Sequence, residues 1–172
     1  MNKTVQDAIN EQINMEMSSH YAYLSMSAYF EDLGLKGFAA WMYRHAQEEM
    51  MHAMKLYNFI HSRRGRVKLF AVGEPPHTWD SPLAAMENSL EQEQKVTESI
   101  NKLVKLSRQE GDFATDSFLK WFVDEQVEEE EIVDDVIHKL RLIGDFKPGL
   151  YLLDQELNSA SSAPASPAPT AA

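Results

Sequence analysis

One short stretch of this 172-residue sequence places a carboxylate and two imidazoles on a helical repeat. The stretch reads RHAQEEMMHA over Arg44–Ala53, and its apolar neighbours have the spacing of an amphipathic helix. Residues three or four apart share a helix face, so Glu49 and His52 lie together and His45 lies one turn before them. Because a buried carboxylate is destabilising without a partner, this pattern in a core-facing stripe indicates a bound cation.

The same interruption occurs in every core stripe of the sequence. Alternating steps of three and four give four stripes, each apolar at its ends and acidic near its middle. The central acids are Glu16, Glu49, Glu93, Glu125 and Glu129. The fourth stripe contains Phe118, Phe122, Glu125, Glu129, Ile132, Val136, Leu140 and Ile143. Carboxylates at one depth repel one another unless a cation binds them. Oxygen-rich ligation with one imidazole suits iron, manganese or zinc, and Glu49 is central enough to bridge two ions.

Composition limits which ligands can hold a metal and which partners the protein can have. The sequence contains no cysteine, so a metal must be held by His, Asp and Glu. The net charge is −11 and the one basic cluster is at 63–68, so we expect no nucleic-acid partner. The sequence has neither an apolar signal core nor a stretch of about 18 apolar residues, so we expect a cytoplasmic protein without membrane contact.

The elements that must position these residues are long helices. We expect helices over about 4–33 with Thr4 as N-cap, 35–64, 82–110 capped by Ser81, 112–144 capped by Asp112, and a short one over 149–157. The connection 65–81 can reach ~55 Å, whereas a 28-residue helix is ~42 Å long, so it can cross the bundle and make the third helix parallel to the second. These features predict an all-α four-helix bundle with one long crossover loop and a short fifth C-terminal helix, forming one domain over 1–157. Residues 158–172 have no large apolar side chain and predict a disordered tail.

Other polar residues near the stripes allow simpler interpretations. We expect His20 and His45 to be hydrogen-bonded flanking residues rather than metal ligands. Tyr23 is either a buried ring with a satisfied hydroxyl or an electron donor beside an oxidising metal. By default Glu128, Glu130 and Glu131 are solvated surface acids.

Five stretches together resemble the non-haem ferritins, most closely the bacterial and archaeal branch. They are NEQINMEMSSHYAY (10–23), RHAQEEMMHA (44–53), EQKVTESI (93–100), WFVDEQVEEE (121–130) and GLYLLDQEL (149–157). The similarity extends over about residues 5–157.

The resemblance implies a ferroxidase centre that oxidises Fe(II) with dioxygen or hydrogen peroxide. One iron would be held by Glu16, Glu49 and His52. The second would be held by Glu49, Glu93 and Glu129. Gln126 matches a glutamine lining this site, and Tyr23 matches a tyrosine beside it. A third, more open iron site would comprise Glu48, Glu125, Glu128 and Glu129.

The sequence departs from related families at informative positions. Where bacterioferritins carry a second Glu-x-x-His, this chain has Gln126-x-x-Glu129, and the asymmetry favours ferritin. Met50 stands where bacterioferritins place a haem-ligating methionine, but methionine is also an ordinary packing residue, so haem is the minor alternative. Asp116 is a candidate for an acidic iron channel, but Leu119 and Lys120 follow it where many ferritins carry further acids.

The resemblance therefore implies an iron-storage protein that forms a homo-oligomeric shell of twenty-four subunits, with the short last helix at the four-fold contacts. Three alternatives stay open. A di-iron oxidase or peroxidase without storage is opposed by the absence of cysteine, because no rubredoxin-like domain can be present. A DNA-protecting mini-ferritin is opposed by the acidic charge. A metal-free structural bundle is opposed by the four coincident carboxylates.

Overall fold

The computed structural model describes residues 1–161, which form five helices and no strand. The helices are α1 (Lys3–Asp32), α2 (Lys36–Ser62), α3 (Pro82–Gln109), α4 (Phe113–Ile143) and α5 (Lys147–Ser161). The predicted all-α fold is confirmed, although α5 continues past Leu157. The rest of the predicted tail, 162–172, lies outside the described residues. Among the five helices, none has the length and apolarity needed to cross a membrane.

Side-chain caps start three of the long helices. The oxygens of Ser81 and Asp112 each accept a hydrogen bond from a backbone N–H in the first turn of α3 and α4, as predicted. At the start of α1, however, the cap is Asn2 and not Thr4: the Asn2 side chain accepts from the Thr4 N–H at 2.8 Å. Asn ranks above Thr as an N-cap, and the helix begins one residue before the predicted cap.

The connection between α2 and α3 runs along α1. At one end, the Arg66 N–H donates to Gln6 Oε1 at 2.9 Å. At the other, the Ser25 hydroxyl donates to the Pro76 carbonyl at 2.6 Å. Gln6 and Ser25 are about 28 Å apart along a helix axis, so the connection crosses the bundle.

Two apolar clusters fill the ends of the bundle. The first joins the C-terminal half of α1 to the N-terminal parts of α2 and α3, the C-terminal half of α4, and α5. The second joins the N-terminal half of α1 to the C-terminal part of α2, the C-terminal half of α3 and the N-terminal part of α4. Because the N-terminal parts of α2 and α3 meet at one end, these two helices run parallel, as predicted.

In α4, three residues of the predicted core stripe are exposed or partly exposed, and the next residue along the chain is buried in place of each. Phe122, Glu129, Val136 and Leu140 are buried as predicted. The side chains of Phe118, Glu125 and Ile132 are partly or largely exposed, and their successors Leu119, Gln126 and Val133 are buried instead. A repeat of seven drifts from the true helical period by about 20° per heptad, which is enough to exchange neighbours at a stripe's edge.

Helix α5 is anchored to the start of α2. Asp154 Oδ1 accepts hydrogen bonds from the Gly37 N–H at 2.7 Å and the Phe38 N–H at 3.0 Å, two donors without partners inside their own helix. A Cβ on Gly37 would lie 1.7 Å from the Asp154 carbonyl oxygen, so only glycine allows this approach. Leu153 and Leu157 are buried on the same face of α5.

Candidate metal centre

A layer of buried polar side chains separates the two apolar clusters. We call it the polar layer, and its members are Glu16, His45, Glu49, His52, Glu93, Gln126 and Glu129. All four long helices contribute a glutamate to it, and none of the seven side chains is more than 5% exposed. The structure thus brings together residues that are far apart in the chain, because each lies near the middle of its own helix.

Glu16, Glu49 and His52 form a compact group. Potential ligand atoms of the three residues lie within 4.8 Å of one another. His52 Nδ1 is 3.7 Å from Glu49 Oε1. One oxygen of Glu16 and one of Glu49 are buried without a hydrogen-bond partner. Two carboxylate oxygens and an imidazole that converge in this way can bind a divalent cation.

Glu93 is held by neighbours rather than left unpaired. The Tyr23 hydroxyl donates to Glu93 Oε1 and also contacts the Ser89 hydroxyl at 2.9 Å. Gln126 Nε2 donates to Glu93 Oε2 at 3.2 Å and to its carbonyl oxygen at 3.3 Å. The Tyr23 hydroxyl therefore has its partners, and both it and Gln126 fix the orientation of Glu93.

Burial disfavours charge on these glutamates. It raises the pKa of Glu16, Glu93 and Glu129 to about 7. Burial, then the charges of Glu93 and Glu16, raises the pKa of Glu49 well above its usual range. Near neutral pH the carboxylates therefore retain protons unless a cation replaces them.

The two imidazoles of the polar layer are uncharged at neutral pH. Burial lowers the pKa of both His45 and His52 to about 4. The His52 ring lies edge-on to Trp121, with centroids 5.4 Å apart. The His45 ring lies between Trp41 at 3.8 Å and Tyr23 at 5.5 Å. A neutral imidazole has a lone pair for a metal, so both rings have ligand character.

The residues expected at the third site are not gathered at one point. Glu48 groups with His45 and Glu129, whereas Glu125 groups with His52 and Glu129. Glu128 is exposed and belongs to neither group. Burial and then the charges of Glu129 and Glu128 raise the pKa of Glu125. Each group contains an imidazole, which the all-carboxylate prediction lacks.

Of the two histidines expected to be flanking residues, one behaves so. His20 Nδ1 is hydrogen-bonded to the Ala46 carbonyl at 2.6 Å. For His45 the predicted hydrogen bond is wrong, because both of its ring nitrogens are buried without a hydrogen-bond partner.

Sequence reasoning missed Gln12. Its Nε2 donates to Glu16 Oε1 at 2.8 Å, and its Oε1 accepts from the Ser99 hydroxyl. Gln12 precedes Glu16 by one helical turn, a spacing at which side chains meet, so this amide could have been found from the sequence.

Asp116, the candidate for an acidic iron channel, is paired with Arg108. Asp116 Oδ1 accepts from Arg108 Nε at 2.9 Å. Lys120 lines the same surface depression between α3 and α4. This surface therefore carries both signs of charge rather than a ring of acids.

Comparisons with known proteins identify ferritins by family, by sequence and by structure. Residues 6–143 match the family described as Ferritin-like domain. The bacterial non-heme ferritin of Staphylococcus aureus is 40% identical over 159 residues, covering 92% of this chain and 96% of the relative. That of Staphylococcus saprophyticus is 40% identical over 161 residues, covering 94% and 96%. The open pore ferritin of Archaeoglobus fulgidus superposes with a TM-score of 0.91 at 54% identity, covering 92% of this chain and 98% of that one.

Proposed function

The chain belongs to the ferritin family, as a non-haem iron-storage ferritin, and we propose that it oxidises Fe(II) within the polar layer of each subunit. The observation that carries this proposal is the placement of four buried glutamates, one from each long helix, at the same depth. Such a layer is destabilising by itself, and its uncompensated oxygens are the ligands that hard cations prefer.

One iron position is supported by a group of converging ligand atoms, and the second by the resemblance to ferritins. Glu16, Glu49 and His52 hold one Fe(II). Glu49 bridges to a second Fe(II), which Glu93 and Glu129 complete. Gln126 and Tyr23 orient Glu93, the first through its amide and the second through its hydroxyl. The third, more open iron site expected of Glu48, Glu125, Glu128 and Glu129 then rests on Glu48 and Glu125, which each group with Glu129, whereas Glu128 is exposed and lies outside both groups.

The electron balance requires two irons. Each Fe(II) gives one electron, and dioxygen takes two electrons and two protons to form hydrogen peroxide. If peroxide is the oxidant, it takes two electrons and two protons to form two waters. Binding Fe(II) displaces the protons that the buried carboxylates hold, so the centre releases protons as it loads. The carboxylates bind Fe(III) as well, which then moves on to be stored as mineral.

Storage needs a container, so we expect a homo-oligomer, with a shell of twenty-four subunits as the specific form. Large apolar side chains remain exposed near the C-terminal end of the described chain, which is consistent with further contacts between subunits. They are Leu142, Phe146, Tyr151 and Leu152.

Aerobic loading of the full chain with Fe(II) tests the proposal. We expect an amber particle with many irons per subunit and the elution volume of a large oligomer in size-exclusion chromatography. Dioxygen consumption should follow the early phase at about one dioxygen per two Fe(II). Colourless protein of monomer size with no retained iron would contradict it.

A further inference from the structure

Glu93 and Gln126 of the polar layer each have a polar neighbour one helical turn further along the chain. Thr97 follows Glu93 on α3, and Glu130 follows Gln126 on α4, both at a spacing of four residues. Thr97 and Glu130 are both partly buried. The reaction as described above gives neither of them a role.

The four side chains form one connected series of hydrogen bonds between α3 and α4. The Thr97 hydroxyl donates to Glu130 Oε1 at 2.5 Å. Gln126 Nε2 donates to Thr97 Oγ1 at 3.4 Å and to Glu93 Oε2 at 3.2 Å. The series thus connects a partly exposed carboxylate to Glu93, which the proposed function assigns to the second iron position.

The direction of these hydrogen bonds follows from the single proton of the Thr97 hydroxyl. An ionised carboxylate only accepts, so the Thr97 proton is directed at Glu130 and the Thr97 oxygen faces Gln126 as an acceptor. The Glu93 carbonyl is also an acceptor and lies 3.3 Å from Gln126 Nε2. The two ends of an amide have nearly the same shape, so their hydrogen-bond partners decide which end faces where. All the partners at this end of Gln126 require an N–H donor.

We infer that Thr97 and Glu130 are positioning residues, which fix the orientation of the Gln126 amide and through it the orientation of Glu93. The inference rests on the proposed function, because it concerns the carboxylate assigned to the second iron position. With the amide reversed, its oxygen would face two oxygens of Glu93 with no hydrogen atom between them. Glu93 Oε2 would lose the donor that holds it, and the second ion would bind more weakly.

Zn²⁺ is the probe, because it takes the same ligands without redox chemistry. Crystals of the full chain are soaked at increasing Zn²⁺ concentrations, and the anomalous peak heights give the occupancy of each position. In Glu130→Ala, the position at Glu93 and Glu129 should need about tenfold more Zn²⁺ for half occupancy, because an outer partner of a ligand is lost. The first position, which does not use Glu93, should fill as in the wild type.

Conservative variants separate a hydrogen bond from a charge. Glu130→Gln keeps an oxygen that can accept from Thr97 but removes the charge, so it should fill the second position like the wild type. Thr97→Ser keeps the hydroxyl and should do the same, whereas Thr97→Val has nearly the same volume without it and should match Glu130→Ala. Glu131→Ala is the matched control, since Glu131 is an exposed acid next to Glu130 and should fill both positions normally.

Fe(II) oxidation gives a second readout, which a loss of packing alone would not change in this way. In Glu130→Ala and Thr97→Val, the Fe(II) concentration that gives half the maximal fast-phase rate should rise about tenfold. The maximal rate should change little, because saturating Fe(II) restores occupancy of both positions. A merely structural role would lower the melting temperature and leave the half-saturating concentration unchanged.

Three results would overturn the inference or its basis. Unchanged Zn²⁺ occupancy in both Glu130→Ala and Thr97→Val overturns it. So does a Glu130→Gln variant that fills the second position as poorly as Glu130→Ala, since the charge of Glu130 would then be what attracts the ion. If Thr97→Val does not assemble, the two Glu130 variants decide by themselves, because Glu130 lies at the partly exposed end of the series. If the wild type shows no Zn²⁺ at Glu93 and Glu129, the proposed second iron position fails, and this inference with it.

Discussion

The apolar clusters at the ends of the bundle and the polar layer between them are built by the same four helices, yet they contribute to stability with opposite sign. Leu56 and Glu49 show the contrast, since they are two turns apart on α2 and both are buried. Burying Leu56 removes apolar surface from water and stabilises the fold. Burying Glu49 desolvates a carboxylate beside three others and destabilises it.

The difference teaches that the ends of the bundle determine the fold and the middle determines the chemistry. The ends supply enough stability to hold four carboxylates in place before any iron arrives. A site that is already formed loses little entropy when it binds its ions. If this division is correct, substitutions in the two regions should differ in sign as well as in size.

The largest expected effect is on catalysis, through the bridging carboxylate. Glu49→Ala should slow the fast phase of Fe(II) oxidation by at least about 100-fold, because both iron positions lose a ligand. Stopped-flow absorbance after mixing with aerobic Fe(II) measures it. Glu131→Ala is the matched control, since Glu131 is an exposed acid of α4 and should oxidise Fe(II) at the wild-type rate. A fast phase that survives in Glu49→Ala would remove Glu49 from the centre.

The second prediction compares the two regions by stability without metal. In chelator-treated protein at pH 8, Leu56→Ala should lower the free energy of unfolding by about 2–5 kcal/mol, because it leaves a cavity in a packed cluster. Glu49→Gln should raise it by about 1 kcal/mol or more, because it removes a carboxyl whose raised pKa opposes folding at pH 8 while keeping the volume. Calorimetric melting at one subunit concentration measures both. A lower melting temperature for Glu49→Gln would instead favour a metal-free structural role for the polar layer.

The sequence predicted the fold and the burial of four glutamates because both depend on helical period. Glu16, Glu49, Glu93 and Glu129 interrupt apolar stripes, and this interruption can be recognised in one sequence. The register at the edge of a stripe could not be predicted as well. On α4, Gln126 and not Glu125 faces the core, since a small rotation exchanges two neighbours.

His45 shows the other limit of sequence reasoning. Its type and spacing are compatible with a hydrogen-bonded flanking role, which His20 does have. The two differ in what surrounds each ring: the Ala46 carbonyl is near His20, whereas His45 meets carboxylates from α2 and α4. Such surroundings depend on packing between helices, which the helical repeat does not encode.

The third prediction uses pH to change the charge of the polar layer. The pKa values of Glu16, Glu93 and Glu129 are raised to about 7 from 4.5, so the folded chain binds more protons than the unfolded chain between these values. Stability from these groups is therefore lost as pH rises through that window. His45 and His52 have the opposite effect: between pH 4 and 6.5 the unfolded chain binds more protons at these residues, so their contribution to stability increases as pH rises. Above pH 6.5 the carboxylate effect remains.

We accordingly expect the melting temperature of the metal-free protein to fall by several degrees between pH 6.5 and 8. The fall should be shallower in Glu49→Gln, which has one fewer carboxylate to ionise. Zn²⁺-loaded wild type should show little or no fall, because bound cations keep the carboxylates deprotonated at both pH values. Melting curves at matched ionic strength decide it, and a metal-free protein that becomes more stable above pH 6.5 would contradict the assignment of raised pKa values.

The smallest expected effect concerns Gln12, which would act on a bound metal only by orienting Glu16. Gln12 donates to Glu16 Oε1, and the Ser99 hydroxyl fixes the other end of its amide. Gln12→Ala should therefore weaken Zn²⁺ binding at the Glu16 group by about tenfold, the lower end of what such outer partners contribute. Gln6→Ala is the matched control: this amide lies on the same helix but accepts from the Arg66 N–H in the crossover loop, at an apolar end of the bundle. It should lower the melting temperature slightly and leave Zn²⁺ affinity unchanged, whereas Gln12→Ala should change the affinity. If both variants are less stable but bind Zn²⁺ with unchanged affinity, Gln12 is a packing residue and does not orient the polar layer.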